Sequence, residues 1–193
     1  MTNGGAGLTQ TKTGGERRMH TLVIGSNETN RAGFIDRLLT ACGPRLRLYG
    51  YRSVKEAADE TGNAPIYLYP ASGERRRTQD TLLGWCRNRQ STANLEAFDR
   101  NAFLIESAGP DGLLVMDEIG PMESRAPRFR AAVLAAMERE APILASVRDI
   151  EIPFLETVRT HPNARCFYLT CENGEALFPQ VLAHLQKQLN GVG

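Results

Sequence analysis

Short apolar runs alternate with amphipathic segments along most of the chain. "HTLVIG" (20–25) is a continuous apolar run of strand length. "AGFIDRLLTACG" (32–43) then places Phe34, Ile35, Leu38 and Leu39 on one side of a helix, and Gly43-Pro44 supplies the stop. "RLRLYGYRS" (45–53) alternates as a strand does, "VKEAADETG" (54–62) suits a short helix or turn, and "APIYLYP" (64–70) is a strand bounded by prolines. "ASGERRR" (71–77) is a polar loop. In "TQDTLLGWCRNRQ" (78–90), Leu82, Leu83 and Cys86 have helical spacing with Thr78 as a cap, so a helix is predicted there despite Gly84. "LEAFDRNAFLIES" (95–107) fits a helix or a strand.

The later chain is sharper. "GLLVMDE" (112–118) and "PILASV" (142–147) have the unbroken apolarity of buried parallel strands, and "RCFYLT" (165–170) is a last strand. "APRFRAAVLAAMERE" (126–140), "PFLETVRTHP" (153–162) and "GEALFPQVLAHLQKQL" (174–189) read as helices. This order predicts an α/β fold with a mostly parallel sheet flanked by helices in three layers. In such sheets ligands bind at the carboxyl ends of the strands. Those ends carry Gly25 to Ala32, Asp117-Glu118, Val147-Arg148 and Thr170 to Asn173.

Composition narrows the classes. A chain of 193 residues suits one domain, expected over 19–193, with the Gly- and Thr-rich residues 1–18 read as a flexible leader. A net charge of +1 argues against nucleic acid as a partner. No apolar run reaches the length of a membrane span, and the expected location is cytoplasmic. Cys42, Cys86, Cys166 and Cys171 form no Cys-x-x-Cys pair and are expected as reduced thiols. His20, His161 and His184 are scattered and form no metal cluster.

The candidate chemistry lies at two strand ends. Gly25, Ser26, Asn27, Glu28, Thr29, Asn30, Arg31 and Ala32 stand where a strand-to-helix phosphate loop belongs. That loop reads Gly, four residues, Gly-Lys-Ser/Thr. Asp117 and Glu118 close the apolar strand "LLVM", where the first carboxylate can hold magnesium and the second can orient or activate a water.

"LLVMDEIGPMESRAPRFRAAVLAAMEREAPILASV" and "IPFLETVRTHPNARCFYLTCENGEAL" resemble the cancer-related and thermophile-type nucleoside triphosphatases, with "DEIGPME" the most specific part. The resemblance implies a phosphate-loop NTPase fold binding a nucleoside triphosphate and Mg2+. It implies Asp117 as magnesium anchor, Glu118 as water-positioning base, Gly120 and Glu123 as shapers of the following loop, and Asn173 near the base. The family's residue after that Asn is Arg, but here it is Gly174. The family's loop, Gly-x-x-Gly-x-Gly-Lys-Thr, keeps Gly25 only: Glu28 and Asn30 replace glycines, Arg31 replaces Lys, and Ala32 removes the hydroxyl. An inward Glu28 would repel a phosphate charge ~4 Å away by roughly 4 kcal/mol. Amides at the helix N-terminus would still favour an anion.

The function expected is therefore a nucleotide-binding member of that family with Mg2+-dependent hydrolysis reduced or lost. The alternatives are a noncatalytic protein that binds a protein partner, and a nucleotide kinase-like phosphotransferase. For the last, Arg75, Arg76, Arg77, Arg87 and Arg89 would imitate an arginine-bearing lid. Those arginines could also face phosphates, or form a solvated face with Trp85 packed inward. Tyr49, Tyr51, Tyr67 and Tyr69 fit strand packing or base stacking. Residues 50–105 depart most from the family and are expected as a divergent central insertion.

Overall fold

A computed structural model of the chain describes residues 19–88 and 90–191; the leader expected at 1–18 and Arg89 lie outside them. The chain runs through β1 (His20–Gly25), α1 (Arg31–Cys42), β2 (Leu48–Lys55), β3 (Ala64–Pro70), β4 (Leu82–Arg87) and β5 (Gln90–Ala93). It continues through α2 (Leu95–Asn101), α3 (Phe103–Glu106), β6 (Leu113–Ile119), a 3-10 turn (Glu123–Arg125) and α4 (Pro127–Met137). It closes with β7 (Ile143–Arg148), α5 (Pro153–Arg159), β8 (Ala164–Tyr168) and α6 (Gly174–Asn190).

The strands form one sheet in the order β5-β4-β3-β2-β6-β7-β1-β8. β2, β6, β7, β1 and β8 are parallel, and β3, β4 and β5 extend the sheet antiparallel from β2. The segment 50–105 builds β3 to β5, α2 and most of β2 and α3. It adds an antiparallel wing to the same sheet.

Alternating side chains of the buried strands feed two cores. Leu22, Ile24, Leu114 and Met116 face one side, where Phe98, Phe129 and Phe154 of the α2, α4 and α5 layer cover them. Val23, Leu113, Val115 and Leu144 face the other, under Phe34, Ile35 and Leu38 of α1 and Val181 and Leu185 of α6. That period of two in doubly covered strands explains their continuous apolarity. The three-layer expectation holds.

The helix expected over 78–90 is not found, and the helix or turn expected over 54–62 holds in part, as a turn. Among the described residues of 78–90 none is helical. Thr78 does cap a turn, accepting from the backbone N–H groups of Thr81 and Leu82, but the chain then extends into β4. Gly84 takes φ 147° directly opposite Ala93, a conformation that ends helical continuation and that side chains resist. Leu83, at an apolar position equally suited to a strand, is fully buried against the α2 layer. Trp85, packed inward in the solvated-face reading of the basic region, is 41% exposed on the wing. In the segment 54–62, Val54 and Lys55 still belong to β2, and a turn held by the Asp59 carboxylate follows.

Gly50 of β2 has φ 87°, and a Cβ there would run into the Val115 carbonyl of β6. Gly50→Ala is therefore expected to lower stability by roughly 2–5 kcal/mol through left-handed strain plus overpacking. Urea unfolding checks this, and a wild-type midpoint would show that β2 can move aside.

Candidate functional site

β1, β6, β7 and β2 are parallel, so their carboxyl ends lie at one edge of the sheet. That edge brings together Gly25 to Arg31, Asp117, Glu118, Arg148 and Arg52. Asn30 caps α1, its side chain accepting from Gly33 N–H at 3.0 Å. The loop before it curls tightly, with the Thr29 hydroxyl donating to Ser26 O at 2.9 Å.

Arg31 turns inward and is 5% exposed. Its Nη1 donates to the carbonyl oxygens of Gly25, at 2.5 Å, and Ser26, and its Nη2 to Glu118 Oε2 at 2.9 Å. A phosphate loop presents backbone N–H groups to an anion. Here the first two residues of the loop present carbonyls to a cation, so Arg31 fills the loop from within. Arg31 Nε is buried with no hydrogen-bond partner. Ser26, Asn27, Glu28 and Ala32 are exposed. Glu28 is exposed and lines the cleft beside the loop.

Glu118 lies between two guanidiniums, Arg31 Nη2 and Arg148 Nε, each at 2.9 Å. Burial raises its pKa, but the charges of Arg31 and Arg148 outweigh that and hold it below the ordinary glutamate value. The Asp117–Glu118 peptide is cis. Asp117, 3% exposed, has both oxygens engaged: Oδ2 accepts from Arg52 Nε at 2.7 Å, and Oδ1 from the Ser146 hydroxyl. Arg52 also donates to Asp36 of α1 at 2.7 Å. Three residues of β2 thus clasp the acidic pair, because Tyr51 donates to Glu118 O and the Ser53 hydroxyl bridges Asp117 O and Glu118 N–H.

Glu123 is buried beneath, accepting from Gly120 N–H at 2.9 Å. Burial, reinforced by the neighbouring Glu118 charge, pushes its carboxyl up to about 8. At neutral pH it is protonated, and Asp36, Asp117 and Glu118 balance Arg31, Arg52 and Arg148.

The donor set does not fit a magnesium ion. Mg2+ needs oxygen ligands in near-octahedral array, usually a loop hydroxyl and the strand-end Asp. Ala32 has no hydroxyl, Asp117 is bound by a guanidinium and a hydroxyl, and Glu118 is bound by two guanidiniums. A dication ~5 Å from one guanidinium is repelled by about 7 kcal/mol at an effective dielectric of ~20. Among the described residues, no group of three or more His, Cys, Asp or Glu is placed to hold a metal.

A cleft of about 460 Å³ opens beside the loop, lined by Glu28, Asn30, Phe34, Arg37, Thr170 and Cys171 among others. Asn173, expected near a base, does not line it. Its Oδ1 accepts from Thr170 N–H and its Nδ2 donates to Tyr168 O, bracing the loop that forms one wall. Asp117, Glu118, Gly25 and Arg31 are brought together as expected. Arg52 and Ser146 were missed. Their only sequence signal is a polar residue inside a strand, and it acquires meaning only through the register Arg52↔Asp117↔Ser146.

Comparison with known proteins decides the family. A family model described as NTPase matches residues 71–182, more than half of the chain. The chain belongs to the NTPase family. It is 32% identical over 120 residues to the nucleoside-triphosphatase THEP1 of Pyrococcus abyssi, covering 61% of this chain and 64% of that protein. It is 26% identical over 111 residues to the cancer-related nucleoside-triphosphatase homolog of Bos taurus, covering 52% of this chain and 58% of that protein. The chain thus spans less than two thirds of these relatives' length. The crystal structure of THEP1 from Aquifex aeolicus superposes with a TM-score of 0.64 at 18% identity, over 87% of this chain and 99% of that one, and establishes the phosphate-loop NTPase-like fold. Among the described residues no helix is long and apolar enough to cross a membrane.

Between the ordinary glutamate value of 4.5 and about 8, folded protein keeps the Glu123 proton that the unfolded chain has released. Stability contributed at this position therefore falls as pH rises through that window, by roughly 1.4 kcal/mol per unit. Glu123→Gln is expected to match wild type near pH 4.5 and exceed it near pH 8. Urea titrations across that range check this, and parallel pH profiles would refute it.

Proposed function

We propose that this chain is a nucleotide-binding member of the NTPase family in which magnesium-dependent hydrolysis is reduced or lost. The observation that carries this reading is Arg31, whose guanidinium sits inside the phosphate loop and holds Glu118. A carboxylate with each oxygen on a guanidinium, and with a depressed pKa, is a weak base and has no oxygen free of a cation to orient water. Asp117 is likewise committed to Arg52 and Ser146.

Binding is supported by the cleft beside the loop and by the buried, unpartnered Nε of Arg31. In this reading the nucleoside occupies the cleft between α1 and the 169–174 loop. Its phosphates reach Arg31 and Arg148 by displacing Glu118, and Arg31 Nε supplies a donor with no internal claim on it.

One observation favours the partner-binding alternative: Trp85 is exposed beside β5, a short strand that pairs only with β4 among the described strands. The kinase-like alternative loses its helical lid. Arg76 and Arg77 are tied to Glu74 and Glu56, Arg75 lies over the Tyr69 ring, and Arg87 is on a strand.

A thermal-shift panel of nucleotides with and without magnesium tests this reading. A nucleotide at ten times its Kd is expected to raise Tm by roughly 3–5 °C without phosphate release. Magnesium-dependent phosphate release that disappears in Glu118→Gln would establish an active hydrolase instead. No shift with any nucleotide at millimolar concentration would leave the partner-binding reading.

A further inference from the structure

Arg52 lies on β2 in register with Asp117 on β6. Its Nε donates to Asp117 Oδ2 and its Nη1 to Asp36 Oδ1, both at 2.7 Å, with the Arg52 side chain 12% and the Asp117 side chain 4% exposed. Asp36 is on α1, five residues beyond Arg31. In phosphate-loop NTPases the divalent cation joins the strand-end Asp to the helix that follows the loop, through a Ser or Thr hydroxyl at its start. Here Ala32 removes the helix's ligand, and Arg52 makes the same connection, strand-end Asp to loop helix, with a guanidinium. The remaining Asp117 oxygen accepts from Ser146, so the carboxylate is satisfied without metal.

We propose that Arg52 takes the place of the divalent cation, a resident cation tethered to β2, and that the site accepts the phosphate chain of a nucleotide as the free anion instead of its magnesium complex. The ligand half rests on the nucleotide-binding reading above; the metal half stands without it. A tethered guanidinium supplies one positive charge and planar donors suited to phosphate oxygens. It cannot leave with the departing nucleotide, and it offers no site for a metal-bound water.

Two measurements test this. In the first, Mn2+ alone is titrated into the protein and followed by loss of the free-ion EPR signal. Wild type is expected to bind no Mn2+ at submillimolar concentration. Arg52→Ser is expected to gain one site, which Asp117→Asn added to that variant abolishes. Arg52→Gln, which keeps a donor to Asp117 without charge, carries the same expectation if Arg52→Ser does not fold. Mn2+ binding by wild type that Asp117→Asn removes would overturn the proposal, as would a folded Arg52 variant that gains no site. The second measurement is ATP affinity by calorimetry in EDTA and in excess magnesium. Wild type is expected to bind at least as tightly in EDTA, and a gain of about tenfold on adding magnesium would overturn the ligand half. Absence of ATP binding under both conditions would refute the nucleotide-binding reading and the ligand half, leaving the Mn2+ titration to decide the metal half.

Discussion

The site depends on Glu118 being held between Arg31 and Arg148. Those residues belong to the start of α1, the end of β6 and the end of β7, so one carboxylate ties three elements at the carboxyl edge of the sheet. The Glu118 side chain is 30% exposed and Arg31 only 6%, which makes the two partners unequal. Glu118 retains some contact with water. A buried guanidinium stripped of its counter-ion carries a large desolvation penalty. Arg31 therefore needs an anion at this spot, whether Glu118 or a ligand.

The same constraint divides the residues of the loop between β1 and α1. By residue type, Glu28, Asn30, Arg31 and Ala32 look like four independent losses. In space they separate. Glu28 is exposed on the wall of the cleft, and Asn30 does ordinary work as the cap of α1. Arg31 has reversed the polarity of the loop interior, drawing in the carbonyls of Gly25 and Ser26. Ala32 offers no hydroxyl at the start of α1, and Asp117 is held by Arg52 from β2.

Most of the fold was legible because its parallel half is written in local patterns. The buried runs of β1, β6 and β7 and the amphipathic faces of α1, α4 and α6 need no distant information. The wing was less so: Leu82, Leu83 and Cys86 satisfy helical spacing, and only the φ of Gly84 and pairing with β3 and β5 decide for a strand. The site divided in the same way. Asp117, Glu118 and the loop were recognisable by position along the chain, whereas Arg52 and Ser146 reach Asp117 only through strand pairing across the sheet. The direction in which Arg31 points could not be read at all, since an inward and an outward arginine have the same letter.

Tyr51, Arg52 and Ser53 each grip a different atom of the acidic pair from one stretch of β2. Such a clasp carries an evolutionary corollary. A cation fixed in the strand and a hydroxyl offered by the loop serve the same carboxylate, so selection has no reason to maintain both. Relatives with Lys-Thr in the loop should therefore carry an uncharged residue opposite the strand-end Asp, and those with an arginine there should have let the loop hydroxyl drift. If Arg52 stands in for the cation, the two positions are expected to vary together among relatives.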